Sequence, residues 1–216
     1  MSPQRCRPRL AVVLAALFVA GCDSAPVPQP VPDLVRLSTP TPGQPQRLLV
    51  GLPGAVAGKG QVHVVQPKTG LSLSVASTEA GTFAAVLPTA DAELALTFEN
   101  DDGESDPLLL RSALPDGPRP ALGTPAPGVV SVPDAGGRVT VANDGGPGQP
   151  LLLDATPEVT VLVSNDQTSE VVSSTTDSAG RFAVSLLASS GSTILILLVD
   201  PDEPDVTSDF VGIQVP

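Results

Sequence analysis

Val62-His63-Val64 lies 19 residues before Gly81-Thr82-Phe83-Ala84, and Val161-Leu162-Val163 lies 19 residues before Gly180-Arg181-Phe182-Ala183. The offset between the two stretches is 99 residues at both ends. With one inserted residue, Leu94-Ala95-Leu96-Thr97-Phe98 then matches Ile194-Leu195-Ile196-Leu197-Leu198, and Ser105-Asp106 matches Ser208-Asp209. A repeat of this period means one architecture built twice, so each repeat must bury its own core.

The strands within each repeat follow from side-chain period. Leu71-Ser72-Leu73-Ser74-Val75 alternates strictly, the mark of a strand buried on one face. Phe83, Ala85 and Leu87 share a face, as do Phe182, Val184 and Leu186, and Val159, Val161 and Val163. Ala80-Gly81 and Ala179-Gly180 punctuate neighbouring strands as hairpin turns. Strands are expected near 34–38, 46–51, 60–66, 71–77, 82–87, 92–99 and 107–113, and again near 128–132, 137–142, 158–164, 169–176, 181–187, 193–199 and 209–215. About seven short strands per unit of roughly 90–100 residues describes an all-β fold of two tandem immunoglobulin-like β-sandwiches. Residues 33–116 form the first domain and 117–216 the second, with the boundary in a stretch holding Pro115, Pro118, Pro120, Pro125 and Pro127. The second repeat adds a loop, Asn143-Asp144-Gly145-Gly146-Pro147-Gly148-Gln149-Pro150. With five Phe and no Trp or Tyr, the cores rest on Val, Leu, Ile and Ala, so stability per domain is expected to be modest.

The first 32 residues read differently. Arg5, Arg7 and Arg9 precede Leu10–Ala20, an unbroken apolar run of 11 residues. A membrane-spanning helix needs about 20, so the run is too short to cross and reads instead as a secretory signal peptide over 1–21. Cys6 falls within it, which leaves Cys22 unpaired in an exported chain. Asp23-Ser24-Ala25-Pro26-Val27-Pro28-Gln29-Pro30-Val31-Pro32 then favours a polyproline II tether, and at about 3.1 Å per residue its ten residues reach roughly 30 Å.

Val19-Ala20-Gly21-Cys22 resembles the lipobox of bacterial lipoproteins. The resemblance implies cleavage between Gly21 and Cys22, diacylglycerol on the Cys22 thiol and acylation of the new amino group. The mature chain is then attached to a membrane without spanning it, since two or more acyl chains hold stably. It implies the bacterial cell envelope, facing periplasm or exterior. Asp23 resembles the inner-membrane retention signal of enteric bacteria, a rule confined to them, so inner against outer membrane stays open.

Residues 33–216 resemble the bacterial Ig-like repeats of surface and secreted proteins, which run V-x-V-x-N, then D-x-x-G-x-F, then L-x-L-x-x-x-D-x-x-G-N-x-S. Asp177-Ser178-Ala179-Gly180-Arg181-Phe182 matches the middle element; the first repeat has Thr78-Glu79-Ala80-Gly81 there and lacks the aspartate. The second repeat has Asp200-Pro201-Asp202-Glu203 at the closing turn and lacks the Gly-Asn pair. The resemblance implies a spacer, adhesive or assembly role rather than a reaction.

The formal charge is −12, and without the three signal-peptide arginines it is −15. Such a surface repels nucleic acid. His63 is the only histidine and should point away from the valine face of its strand, so a triad or histidine metal site has no second partner to draw on. Gly51-Leu52-Pro53-Gly54 and Gly58-Lys59-Gly60 are turns, since the Lys-Ser/Thr pair of a phosphate loop is absent. No catalytic residue is assigned and no enzyme is expected. Glu99, Asp101, Asp102, Glu104 and Asp106 in one acidic loop, and Asp200, Asp202, Glu203 and Asp205 in the equivalent loop, are candidate calcium ligands, because Ca²⁺ takes six to eight oxygens. Neither loop has EF-hand spacing. Otherwise no cofactor is expected. The reading is a membrane-anchored, non-catalytic spacer, adhesive or interaction module whose edge strands can recruit an envelope partner by strand addition. A glycan- or calcium-binding surface module is the alternative, weakened by the missing Trp and Tyr platforms. Oligomeric state stays open.

Overall fold

The computed structural model describes residues 26–40, 45–89, 93–111, 129–143 and 158–216. The signal segment, Gly21 and Cys22, the proline-rich boundary and most of the inserted loop lie outside the described residues.

Every expected strand within the described residues forms. The first domain contains β1 (Val35–Leu37), β2 (Arg47–Gly51), β3 (Gly60–Val65), β4 (Ser72–Ser77), β5 (Phe83–Leu87) and β6 (Glu93–Asn100). Its last expected strand is β8 (Leu108–Arg111), preceded by a two-residue strand outside the expected ranges, β7 (Gly103–Glu104). The second domain contains β9 (Val129–Val130), β10 (Arg138–Ala142), β11 (Thr160–Asn165), β12 (Val171–Thr175), β13 (Ala183–Leu187), β14 (Thr193–Val199) and β15 (Thr207–Gln214). The helical content of the described residues is one 3-10 turn, Pro32–Leu34.

The wiring repeats as the sequence does. A small sheet runs β1-β2-β5 in the first domain and β9-β10-β13 in the second. The large sheet runs β4-β3-β6, with β7 and β8 both on the far side of β6, against β12-β11-β14-β15. All pairings are antiparallel. Leu49, Phe83 and Leu87 of one sheet pack on Val62, Val64, Leu96 and Phe98 of the other. Val141, Phe182 and Leu186 pack likewise on Val161, Val163, Ile194 and Ile196.

The matched Ser-Asp pairs have a structural cause. The β14–β15 ladder slips between Leu197 and Val199, which would leave the Leu198 N–H without a ladder partner. Ser208 Oγ accepts that N–H at 3.0 Å. Ser105 Oγ accepts the Phe98 N–H at 3.0 Å in the gap between β7 and β8. Each serine plugs a bulge in a buried ladder, where an orphan donor would cost about 1–3 kcal/mol.

A third apolar cluster lies between the domains. Leu48, Val50 and Ala84 on the outer face of the first small sheet pack on Leu162, Val171, Leu195, Leu197 and Val199 on the outer face of the second large sheet. The protein is therefore a four-layer stack of sheets rather than two beads. Every residue of β2 is buried, and so is Ile194–Val199. Polar bonds fix the edges of this seam. Thr82 Oγ1 donates to the Ser169 carbonyl at 2.8 Å, Thr39 N–H to the Ser208 carbonyl at 3.0 Å, and Thr207 Oγ1 to the Leu37 carbonyl at 3.1 Å.

The tether is shorter than its sequence implies. Val27 is buried in the first core, and Val31 N–H donates to the Ala55 carbonyl at 2.8 Å. Residues 26–32 thus lie along the first domain and do not hold it at a distance. Proline has no backbone N–H, so an extended Val-Pro strip has few donors to satisfy and can cover apolar surface at little polar cost.

Candidate functional site

The two acidic loops occupy the equivalent turns, after β6 and after β14. In the first, Asn100 Oδ1 accepts the Asp102 N–H at 2.9 Å, and Glu104 Oε1 accepts the Thr97 hydroxyl at 2.7 Å. In the second, Asp200 Oδ1 accepts the N–H groups of Asp202 at 2.9 Å and Glu203 at 3.0 Å. These are side-chain-capped turns. Glu99, Asp101, Asp102, Glu104 and Asp106, and Asp202, Glu203 and Asp205, are all exposed, while Asp200 is half-buried. Among the described residues no group of three or more His, Cys, Asp or Glu side chains is gathered to hold a metal ion. The nine carboxylates of the calcium expectation sit in two side-chain-capped turns, eight of them exposed and Asp200 half-buried.

The turn of the middle motif in the second domain, and the turn between β9 and β10, use the same device. Asp177 Oδ1 accepts the N–H groups of Ala179 and Arg181, each at 2.8 Å. Asp134 Oδ1 accepts those of Gly136 at 2.8 Å and Arg138 at 2.9 Å. The Arg181 N–H, then the Ala179 N–H, hold the Asp177 carboxyl below its ordinary value. The Arg138 N–H, then the Gly136 N–H, do so for Asp134. In the first repeat Thr78 stands where Asp177 would be, and its Oγ1 accepts the Thr82 N–H at 3.2 Å.

His63 does find partners. Its Nδ1 lies 2.8 Å from Ser74 Oγ and its Nε2 2.9 Å from Glu99 Oε2. Ser74 sits directly across the ladder on β4, and Glu99 on β6, opposite Gln61, is two pairs removed on the same face. Sequence spacing alone does not reveal this line, because it depends on the register of three strands. With Nε2–H donating to Glu99, Nδ1 accepts the Ser74 hydroxyl. That is the connectivity of a nucleophile–base–acid chain. It lies on an open sheet face, where His63 keeps 29% and Glu99 56% of its side chain exposed. Water reaches the base and the acid, and no wall encloses a reacting centre.

The second domain shows what else this face can be. By the pairing registers, Leu162, Leu195, Leu197 and Val199 stand where the first domain has His63, Ala95, Thr97 and Glu99. The apolar set forms the seam between domains, and the polar set is its solvent-facing counterpart. A second open feature is a groove of about 470 Å³ where the edges of β1 and β8 meet the loop before β15. Arg36, Leu109, Arg111 and Asp205 line it. No described helix is long and apolar enough to cross a membrane.

No family model matches the chain, and no curated protein matches it. Solved structures do. A two-domain fibronectin type-III segment of chicken tenascin aligns at 16% identity and a TM-score of 0.28, covering 83% of this chain and 97% of that one. The BSP domain of a biofilm-associated protein aligns at 14% identity and a TM-score of 0.29, covering 84% of this chain and 29% of that one. A structure from a 1.5-MDa bacterial ice-binding adhesin aligns at 13% identity and a TM-score of 0.28, covering 82% and 60%. The sandwich assignment rests on this chain's own sheet order.

Proposed function

We propose that this protein is a lipid-anchored lipoprotein of the bacterial cell envelope, acting as a non-catalytic display and interaction module. The observation that carries the reading is Val19-Ala20-Gly21-Cys22 directly after an apolar run too short to span a bilayer, with Cys22 the sole cysteine left after cleavage. The fused fold supports it. A seam of side chains between the sandwiches makes one rigid body, suited to presenting a fixed surface. Val27 is buried in the first core, five residues beyond Cys22, so an acylated Cys22 keeps that domain within about 18 Å of the bilayer. The module therefore works close to the headgroups rather than at the end of a long stalk.

Metabolic labelling with an alkyne analogue of palmitate tests the anchor. The wild-type chain should take the label, fractionate with membranes and carry diacylglycerol on an N-terminal Cys22 by intact mass. Cys22→Ser should lose the label. A mature chain that starts elsewhere, or has a bare thiol at residue 22, overturns the reading.

A further inference from the structure

Proteins usually blunt their edge strands with charge, proline, a bulge or a cover. Several edges here are blunted: β1 carries Arg36, β8 ends on Arg111, β15 carries Asp209, and β12 follows Glu170. Strand β4 is not. It is the outer strand of the first large sheet, six residues long, and residues 69–78 hold no charge and no proline. Gln66 N–H donates to the Leu71 carbonyl at 2.8 Å, so the bond-exchanging pairs with β3 continue at Val64–Leu73 and Val62–Val75. The N–H and C=O groups of Ser72, Ser74 and Ala76 therefore point off the edge, and all three residues are exposed.

We propose that β4 is a self-association edge, pairing antiparallel with β4 of a second copy of this chain about a two-fold axis through Ser74. The strand is self-complementary in this register. Ser72 faces Ala76 of the other chain and Ser74 faces Ser74, giving three exchanging pairs and about six hydrogen bonds. Leu73 faces Val75 on the core side. Both are partly exposed and packed on the first core, so pairing extends that core across the axis. Charge fits too. Lys68 lies in the turn before β4 and Glu79 in the turn after it, both exposed, so antiparallel pairing brings the Lys68 end of each strand to the Glu79 end of the other. On a chain of net charge −12 an uncharged edge lets two copies approach without adding repulsion. The proposal needs only the fold and stands whether or not Cys22 is acylated.

The test uses the chain from residue 22 onward with Cys22→Ser, which retains every described residue and needs no detergent. Sedimentation equilibrium over a hundredfold range of concentration should show one chain converting to two. Ser74→Lys and Ser74→Glu each place like charges on the axis and should sediment as single chains with unchanged circular dichroism, while their equimolar mixture should recover the dimer. Ser74→Cys should form an interchain disulfide and Ser72→Cys should not, because only residue 74 meets itself. A wild-type chain that stays single throughout, a Ser74→Lys variant that still pairs, or a mixture that fails to recover overturns the proposal.

Discussion

Leu48 and Leu49 are neighbours on β2, both fully buried, and they face opposite ways. Leu49 belongs to the core of the first sandwich and Leu48 to the seam against the second. If the domains were independent beads, Leu48 would sit on a surface and its truncation would be silent, within about 0.5 kcal/mol. In the stack, Leu48→Ala removes a side chain packed among residues of both domains. Leu to Ala in a close-packed interior costs about 2–5 kcal/mol. A seam between two bodies can partly close the gap, so the lower part of that range, about 2–3 kcal/mol, is expected for Leu48→Ala, with Leu49→Ala higher. At about 2–4 °C per kcal/mol for a body of this size, the melting temperature should fall by roughly 4–12 °C. Urea denaturation gives the free energies, and calorimetry shows whether wild type unfolds in a single transition, as a shared apolar seam requires. Near-wild-type stability in Leu48→Ala beside a large loss in Leu49→Ala would refute the stacked arrangement.

Three further outcomes follow from particular contacts. Ser208→Ala should lose about 1–3 kcal/mol in urea denaturation, because the buried Leu198 N–H keeps no partner, whereas substitution of an exposed serine such as Ser173 should change little. Gly81 has φ +74° and an added Cβ would lie 2.2 Å from the Val56 carbonyl oxygen, while Gly70 has φ +71° with nothing within 4 Å. Gly70→Ala should therefore cost only left-handed strain, about 1–2 kcal/mol, and Gly81→Ala at least twice that, by the same assay. The Asp134 and Asp177 carboxyls are held below their ordinary value in the fold. Their contribution is fully present above the unfolded value of about 3.9 and is lost as pH falls through the lower folded value. Urea midpoints followed downward from that pH should drop less steeply in an Asp134→Ala, Asp177→Ala double variant than in wild type, and an unchanged slope would contradict the turn geometry.

Strand positions were legible because period-two alternation is local. Leu71 to Val75 alternates, and β4 begins one residue inside that run. The repeat offset also carried the turns: Gly81 and Gly180 both have φ +74°. The seam left a trace that alternation alone does not interpret. Ile194–Val199 is apolar at every position, whereas Leu94-Ala95-Leu96-Thr97-Phe98 is apolar and large only at alternate ones. An unbroken run means a strand covered on both faces, yet nothing in it names the covering partner. The line through Ser74, His63 and Glu99 was illegible for a related reason, since it joins three strands through their registers. The docking of Val27 was hidden by a Val-Pro pattern that describes a free polyproline segment equally well.

The two outer faces of the stack differ from the two faces that meet in its seam. The seam joins the small sheet of the first domain to the large sheet of the second. Repeating the same step would set another small sheet on the outer large sheet of the first domain, and another large sheet on the outer small sheet of the second. Both outer faces are built against it. On the first, His63, Thr97 and Glu99 replace the leucines and valine of the seam, with Ser74 bonded to His63. On the second, Thr140 and Ser185 stand where Leu48 and Val86 lie in the seam. Stacked repeats stay soluble when their terminal faces are polar. A third layer contact on the first face would desolvate the His63–Glu99 pair while covering few apolar side chains, Val65, Ala95 and Leu109 among them, so stacking there is disfavoured. Sideways growth obeys a different rule, because an edge is satisfied by backbone and not by side-chain chemistry. The polar substitutions that cap the faces leave Ser72, Ser74 and Ala76 free to donate and accept along β4. Pairing through a single edge about a two-fold axis closes on itself and gives a pair, not a fibre.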